Sequence, residues 1–130
     1  MVLKKILLVI PLLIAIGFII DSWVTILTGD YVVRWQHYTA LVFLAIVIYF
    51  YFKSFTMAVI STGVFLVLGT VNMFSMTADI ETTKFGIGSL RTPPFNSLSL
   101  GLLFLFSILN LVTMINLHLD HKEMKNKQSV

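Results

Sequence analysis

The sequence predicts an all-α integral membrane protein in which four transmembrane helices form one small bundle. The chain has 130 residues, of which 58% are hydrophobic and 12% are charged, and its mean hydropathy is +0.95. A soluble domain carries about 25% charged residues, so this chain lacks the polar side chains to cover a water-exposed surface. Its apolar residues fall in blocks longer than a soluble strand or core helix, which indicates membrane spans.

The central stretch, residues 36–76, has the length of two membrane crossings. One crossing takes about 20 apolar residues, and Lys53 is the only Lys, Arg, Asp or Glu in this stretch. Lys53 and Ser54 lie at its midpoint, where a tight turn would place the ammonium group in water. We therefore expect a helical hairpin with helices at 36–53 and 54–76.

The first helix is predicted over residues 3–28. Two lysines followed by an apolar run give it the layout of a signal peptide, but no small-residue cleavage site follows. Gly29 is a suitable residue to end the helix. Pro11 lies in its first half, and membrane helices tolerate such a proline when neighbouring groups satisfy the carbonyl that it frees.

The rest of the chain divides into a loop, a fourth helix and a tail. Residues 77–96 contain two glycines and two prolines, which predicts the one long loop, with a short strand at 80–85. Residues 97–119 are apolar and predict the fourth helix. The charged tail, 120–130, is expected to be frayed. The whole chain is one domain.

The distribution of lysine and arginine predicts the orientation of the bundle. With four spans, both termini lie on one side of the membrane. Six basic residues belong to that side: Lys4, Lys5, Lys53, Lys122, Lys125 and Lys127. Three belong to the other side: Arg34, Lys84 and Arg91. Because cytoplasmic loops are enriched in basic residues, we expect both termini in the cytoplasm, with the protein in the inner or plasma membrane.

Asp21 is the strongest candidate for a functional side chain. It lies 16 residues after Lys5, or about 24 Å along a helix, and therefore near the outer edge of an apolar core about 30 Å thick. Gly17, Asp21, Thr25 and Thr28 recur at spacings of four, four and three and therefore share one helix face. An intramembrane carboxylate on such a face is typical of an ion or proton site. The simpler interpretation is a carboxylate that is solvated or hydrogen-bonded to a neighbouring helix.

Two asparagines and several small residues form a second group of candidates. Asn72 and Asn110 would line a polar path together with Asp21 and Thr25, or would form hydrogen bonds between helices, worth about 0.6–2 kcal/mol each. Small residues let helices approach closely in lipid. The residues predicted to serve helix packing are Gly17, Gly63, Gly69, Ser97 and Gly101.

Several classes of chemistry are not expected. The chain has no cysteine, which excludes disulfides and thiolate metal sites. His37 is predicted about 30 Å, one bilayer, from His118 and His121, too far to share a haem iron. No nucleophile and base are suitably spaced, and no soluble basic segment suits nucleic acid. We expect neither catalytic activity, a cofactor nor a bound metal.

The sequence therefore predicts a non-catalytic membrane subunit that assembles in the lipid bilayer with itself or with a larger membrane protein. The alternative is a homo-oligomeric channel or small transporter, or a membrane-perturbing effector, with Asp21 lining the path. A haem- or quinone-binding redox subunit is a third class, which visible absorbance or extractable quinone in the purified protein would reveal.

Overall fold

The computed structural model describes residues 2–80, 84 and 86–129. It contains four helices: α1 (Val2–Thr28), α2 (Trp35–Lys53), α3 (Phe55–Thr70) and α4 (Ser97–Gln128). Two short strands, β1 (Gly86–Ile87) and β2 (Leu90–Arg91), form an antiparallel hairpin with Gly86 opposite Arg91. The prediction of an all-α fold with four helices is confirmed, with this hairpin as a small addition.

The helices pack as an up-and-down bundle. α3 lies between α2 and α4, while α1 packs mainly on α4. Lys4, Phe55 and Asp120 line one cleft, so the start of α1, the start of α3 and the end of the α4 apolar segment lie together. We call this the terminal end. Asp30 and Asp79 line a cleft at the opposite end, which we call the loop end.

The core is built from one stripe of each helix, with buried residues at spacings of three and four. This spacing is typical of helices that pack nearly parallel or antiparallel. In α1 the stripe includes Leu8, Leu12, Ala15, Ile19, Ser22 and Ile26. In α2 it is His37, Ala40, Leu44 and Val47. In α4 it is Ser99, Leu102, Phe106, Asn110 and Thr113. Polar side chains thus lie within an otherwise apolar core.

Three helices of the described chain, α1, α2 and α4, are long and apolar enough to cross a membrane. α3 has 16 residues, a length of about 24 Å at 1.5 Å per residue. Large apolar side chains also point away from the bundle, among them Leu13, Val42 and Ile108. A continuous apolar outer surface is typical of contact with lipid or with another protein.

The third helix ends six residues before its predicted end. Asn72 adopts a left-handed conformation, with φ of 60°. The Met73 N–H donates to the Leu68 carbonyl at 3.0 Å, and the Asn72 N–H donates to the Gly69 carbonyl at 3.1 Å. These two bonds form a Schellman motif, in which asparagine takes the position usually held by glycine. Asn72 therefore stops α3.

The apolar residues after α3 are buried in a turn instead of a helix. Phe74 is fully buried, and its ring centroid lies 4.5 Å from that of Phe65 and 6.1 Å from that of Phe43. The Ser75 N–H donates to the Gln36 carbonyl at 3.2 Å. Burial beneath the loop end explains the apolar character that predicted a longer helix.

The fourth helix begins as predicted but continues nine residues beyond residue 119, to Gln128. At its start, the Asn96 side chain accepts a hydrogen bond from the Ser99 N–H at 3.0 Å, which is a standard N-cap. The extension contains no glycine or proline, and Glu123 precedes Lys127 by four residues, a pairing that stabilises helices. The predicted frayed tail is therefore helical as far as Gln128.

Hydrogen bonds also tie the later part of the loop between α3 and α4 to the end of α3. The Asn96 N–H donates to the Thr70 carbonyl at 2.9 Å, and the Asn72 amide donates to the Pro94 carbonyl at 3.3 Å. The strand predicted at 80–85 lies mostly outside the described residues. The described hairpin begins just after it.

Candidate functional site

Asp21 points away from the bundle. Its neighbours Ile19 and Ser22 belong to the buried stripe of α1, whereas Asp21 itself is exposed. It has no hydrogen-bond or ion-pair partner in the part of the chain that the structure describes. The carboxylate is therefore presented to whatever surrounds the single chain.

Aromatic contacts set the depth of Asp21 in the bundle. The Trp23 ring lies 6.5 Å from the His37 ring and 5.5 Å from the Tyr38 ring, both edge-on. These rings belong to the first turn of α2, and Asp21 lies about 3 Å further along α1, away from the loop end. Asp21 thus lies about one to two helical turns from the loop end of the bundle, towards its middle.

The residues that accompany Asp21 on the exposed side of α1 are small or apolar. A Cβ atom added at Gly17 would meet nothing within 4 Å. Val24 is 54% exposed, and the Thr28 hydroxyl donates to the Val24 carbonyl at 2.7 Å. We call Gly17, Asp21, Val24 and Thr28 the α1 outward face. Thr25 is half-buried at its margin.

Asn110 lies inside the bundle, in a junction between α4 and α1. Pro11 has no N–H, so the carbonyl of Leu7, four residues earlier, loses its helical partner. The Asn110 amide donates to this Leu7 carbonyl at 3.3 Å and to the Phe106 carbonyl of its own helix at 3.1 Å. Both Asn110 and Pro11 are buried. Asn110 therefore satisfies the backbone group that Pro11 frees.

The four residues predicted to line a path are not brought together in the single chain. Asp21 and Thr25 belong to the loop half of α1, and Asn72 stops α3 at the loop end. Asn110 contacts Leu7, which is about 21 Å from Asp21 along α1. Only Asn110 has its side chain fully buried among the helices.

The five residues predicted for helix packing divide into two groups. A Cβ atom at Gly69 would lie 2.8 Å from the Ser99 hydroxyl, and one at Gly63 would lie 3.4 Å from the Phe106 ring. Both glycines therefore serve packing within the chain. A Cβ atom at Gly17 or Gly101 would meet nothing within 4 Å, and Ser97 is also exposed. These three small residues lie on the outside.

His37 is a key residue that the sequence analysis did not single out for this role. It is 1% exposed. Its Nδ1 atom accepts a hydrogen bond from the Arg34 N–H at 3.1 Å, and its Nε2–H donates to the Thr77 carbonyl at 3.1 Å. Both ring nitrogens are thus used to join the start of α2 to the turn after α3. The sequence signal was its position, three residues after the residue that caps α2.

The remaining histidines, His118 and His121, are exposed in the C-terminal part of α4. Among the described residues, no group of three or more His, Cys, Asp or Glu side chains is placed to hold a metal ion. The two candidate sites therefore differ in kind. Asn110 forms hydrogen bonds within the chain, and Asp21 presents a carboxylate without a partner among the described residues.

Comparison with protein families, curated proteins and solved structures finds no match to this chain.

Proposed function

We propose that the protein is a small non-catalytic membrane subunit that assembles, with itself or with a larger membrane protein, through the α1 outward face. The observation that carries this proposal is the exposed, unpartnered carboxylate of Asp21 on a helix with the hydropathy of a membrane span. The other residues of this face are Gly17, Val24 and Thr28, whose hydroxyl is bonded within its own helix. The face is therefore suited to contact with another helix rather than with water.

The placement in the bilayer is supported by helix length and by the apolar outer surface. Three helices have the length and hydropathy of spans, and α3, with the turn after it, completes the bundle. The terminal end groups Lys4 with the α2–α3 connection at Lys53. The basic residues of that end favour a cytoplasmic location of both termini, in the inner or plasma membrane.

Contact of the Asp21 carboxylate with lipid has an energetic cost that a partner helix would reduce. A carboxylate at the centre of a membrane helix costs about 2.5–3.5 kcal/mol on insertion scales, and less towards the boundary. A partner helix that donates a hydrogen bond to Asp21 would remove part of this cost. Gly17, one turn away, leaves room for the backbone of such a helix to approach closely.

A homo-oligomeric channel or small transporter is the second candidate function, and a membrane-perturbing effector belongs to the same class. The same observation favours it, because copies that meet through the α1 outward face would place several Asp21 carboxylates around one path. Asp21→Asn separates the two. It should abolish ion flux into liposomes if the protein is a channel, and should only modestly weaken assembly if it is a subunit.

Native mass spectrometry of gently extracted protein tests the assembly itself. The matched variants are Gly17→Leu and Gly101→Leu, since both replace an exposed helical glycine with open space around it. We expect Gly17→Leu to release the 14.7 kDa single chain, and Gly101→Leu to keep the complex seen with the unaltered protein. A complex that survives Gly17→Leu, or is lost only in Gly101→Leu, contradicts the proposal.

A further inference from the structure

A cleft of about 280 Å³ opens at the terminal end between α1, α3 and α4. Its lining residues are Lys4, Phe55, Thr113, Asn116, Leu117 and Asp120. Thr113, Asn116 and Asp120 follow one another on α4 at spacings of three and four, so they share a face. Lys4 reaches the cleft from the first turns of α1. The cleft thus combines one cation, one carboxylate, a hydroxyl and an amide.

The polar groups of this cleft have no partners within the described chain. Lys4 and Asp120 line the same space without forming an ion pair, and Thr113 makes no hydrogen bond although it is only 5% exposed. Hydroxyls elsewhere in these helices, such as Thr62 and Ser107, donate to the carbonyl four residues earlier. The Thr113 hydroxyl instead has no partner in the described chain and is accessible from the cleft, where it can bond a ligand.

An apolar groove adjoins the cleft. It has a volume of about 230 Å³ and lies between α3 and α4, with a lining of Val59, Ile60, Gly63, Phe106, Met114 and Leu117. Leu117 borders both spaces. The missing side chain of Gly63 deepens the groove above the Phe106 ring. An apolar groove that adjoins a cleft with charged groups is complementary to an amphiphile, which has a polar headgroup and a hydrocarbon chain.

The position of the cleft along the helices agrees with a lipid headgroup. The apolar segment of α1 begins at Ile6, just after Lys4, and that of α4 ends at Leu119, just before Asp120. In the membrane placement proposed above, both charges therefore lie at the level of the headgroups, and the α3–α4 groove lies at the level of the acyl chains.

We propose that the cleft and the groove together bind a zwitterionic phospholipid with a primary ammonium group, that is, an ethanolamine phospholipid. Lys4 pairs with the phosphate, Asp120 pairs with the ammonium group, and the acyl chain lies along the α3–α4 groove. Charge-assisted hydrogen bonds on both sides make the pairing selective. An anionic headgroup would face Asp120 without compensation, and a choline headgroup has no N–H to donate to that carboxylate.

The test is lipid retention in native mass spectrometry after the detergent-solubilised protein is titrated with ethanolamine, choline and glycerol phospholipids that have identical acyl chains. The ethanolamine lipid should be retained at the lowest concentration. Lys4→Gln and Asp120→Asn should each weaken its retention about tenfold, the effect of losing one charge-assisted hydrogen bond. Thr113→Val should weaken it less.

The matched controls are Lys122→Gln and Glu123→Gln, which make the same charge changes on exposed residues that do not line the cleft. They should leave retention unchanged. Equal retention of the three lipids, no retained lipid, or a loss in the controls as large as in the cleft variants would overturn the proposal.

This inference rests on the proposed membrane placement but not on assembly through α1. The same spectra report both, because the number of chains and the number of lipids are read separately. Selective lipid retention by a single chain would uphold the lipid site while assembly fails. An intact assembly that retains the three lipids equally would uphold assembly and contradict the lipid site.

Discussion

Asn110 and Asp21 are both polar residues in strongly apolar helices, and they face opposite ways. Asn110 is fully buried and donates to a carbonyl of another helix that Pro11 leaves free. Asp21 is exposed and has no partner among the described residues. The difference shows that polarity in an apolar helix does not define a role by itself. The role of such a residue depends on the partner that it can reach, and the partner of Asn110 lies within the same chain.

His37 belongs with Asn110 in this comparison. Its two ring nitrogens bond backbone groups of two separate segments, Arg34 and Thr77. These two inward-facing side chains thus form hydrogen bonds with backbone groups that the regular helices leave without partners. Substitutions at these residues should lower the free energy of unfolding, whereas substitutions at Asp21 should change assembly instead.

The largest effect on stability is expected for His37→Leu. The substitution removes both hydrogen bonds of the ring, so the part-buried Arg34 N–H loses its partner and the Thr77 carbonyl keeps only the Ser75 hydroxyl. We expect a loss of about 2–4 kcal/mol in the free energy of unfolding. Reversible unfolding in mixed micelles measures it. His118→Leu is the control, since His118 is exposed and should change stability by less than about 0.5 kcal/mol. Equal losses in the two variants would contradict the role of His37.

Asn110→Leu should cost about 1–3 kcal/mol, because the part-buried Leu7 carbonyl loses its donor. The sharper test is the double-mutant cycle with Pro11→Ala. Alanine at position 11 restores the helical N–H for Leu7, so Asn110→Leu should cost less in that background. Additive losses would mean that Asn110 stabilises the bundle by some other contact.

A smaller effect is expected for the glycines that separate the inside of the bundle from its outside. Gly69→Ala places a Cβ atom 2.8 Å from the Ser99 hydroxyl, which can rotate away, and should cost about 1 kcal/mol through crowding. Gly17→Ala has open space and should leave the single chain as stable or slightly more so, since alanine favours the helix. If Gly17→Ala destabilised the single chain more than Gly69→Ala, Gly17 would lie in a packed interface within the chain and not on the outside of α1.

The helix positions could largely be predicted because the length of an apolar block and the residues that flank it are local signals. α2 ends at Lys53, and α1 ends before Gly29, as the sequence indicates. The end of α3 was missed because Phe74 and its neighbours are apolar for a different reason, burial beneath the loop end. Asn72 was the available signal, as a residue that tolerates the left-handed conformation.

The candidate sites were less predictable, because they depend on which helix meets which. Pro11 indicates a free carbonyl and Asn110 indicates a donor, but only packing shows that they face each other. For Asp21 the difficulty is that α1 is apolar on all sides, so no polar face marks its outside. The composition of the α1 outward face was visible in the sequence, whereas its direction was not.

The most direct test of the account is photo-crosslinking in intact membranes. A photoreactive amino acid is placed in turn at Val24, Thr28 and Gly101, all exposed in the single chain, so that Gly17 and Asp21 stay intact. Assembly through the α1 outward face predicts one discrete product of higher mass from positions 24 and 28, and none from position 101. Products from position 101 alone, or products from none of the three, would contradict it.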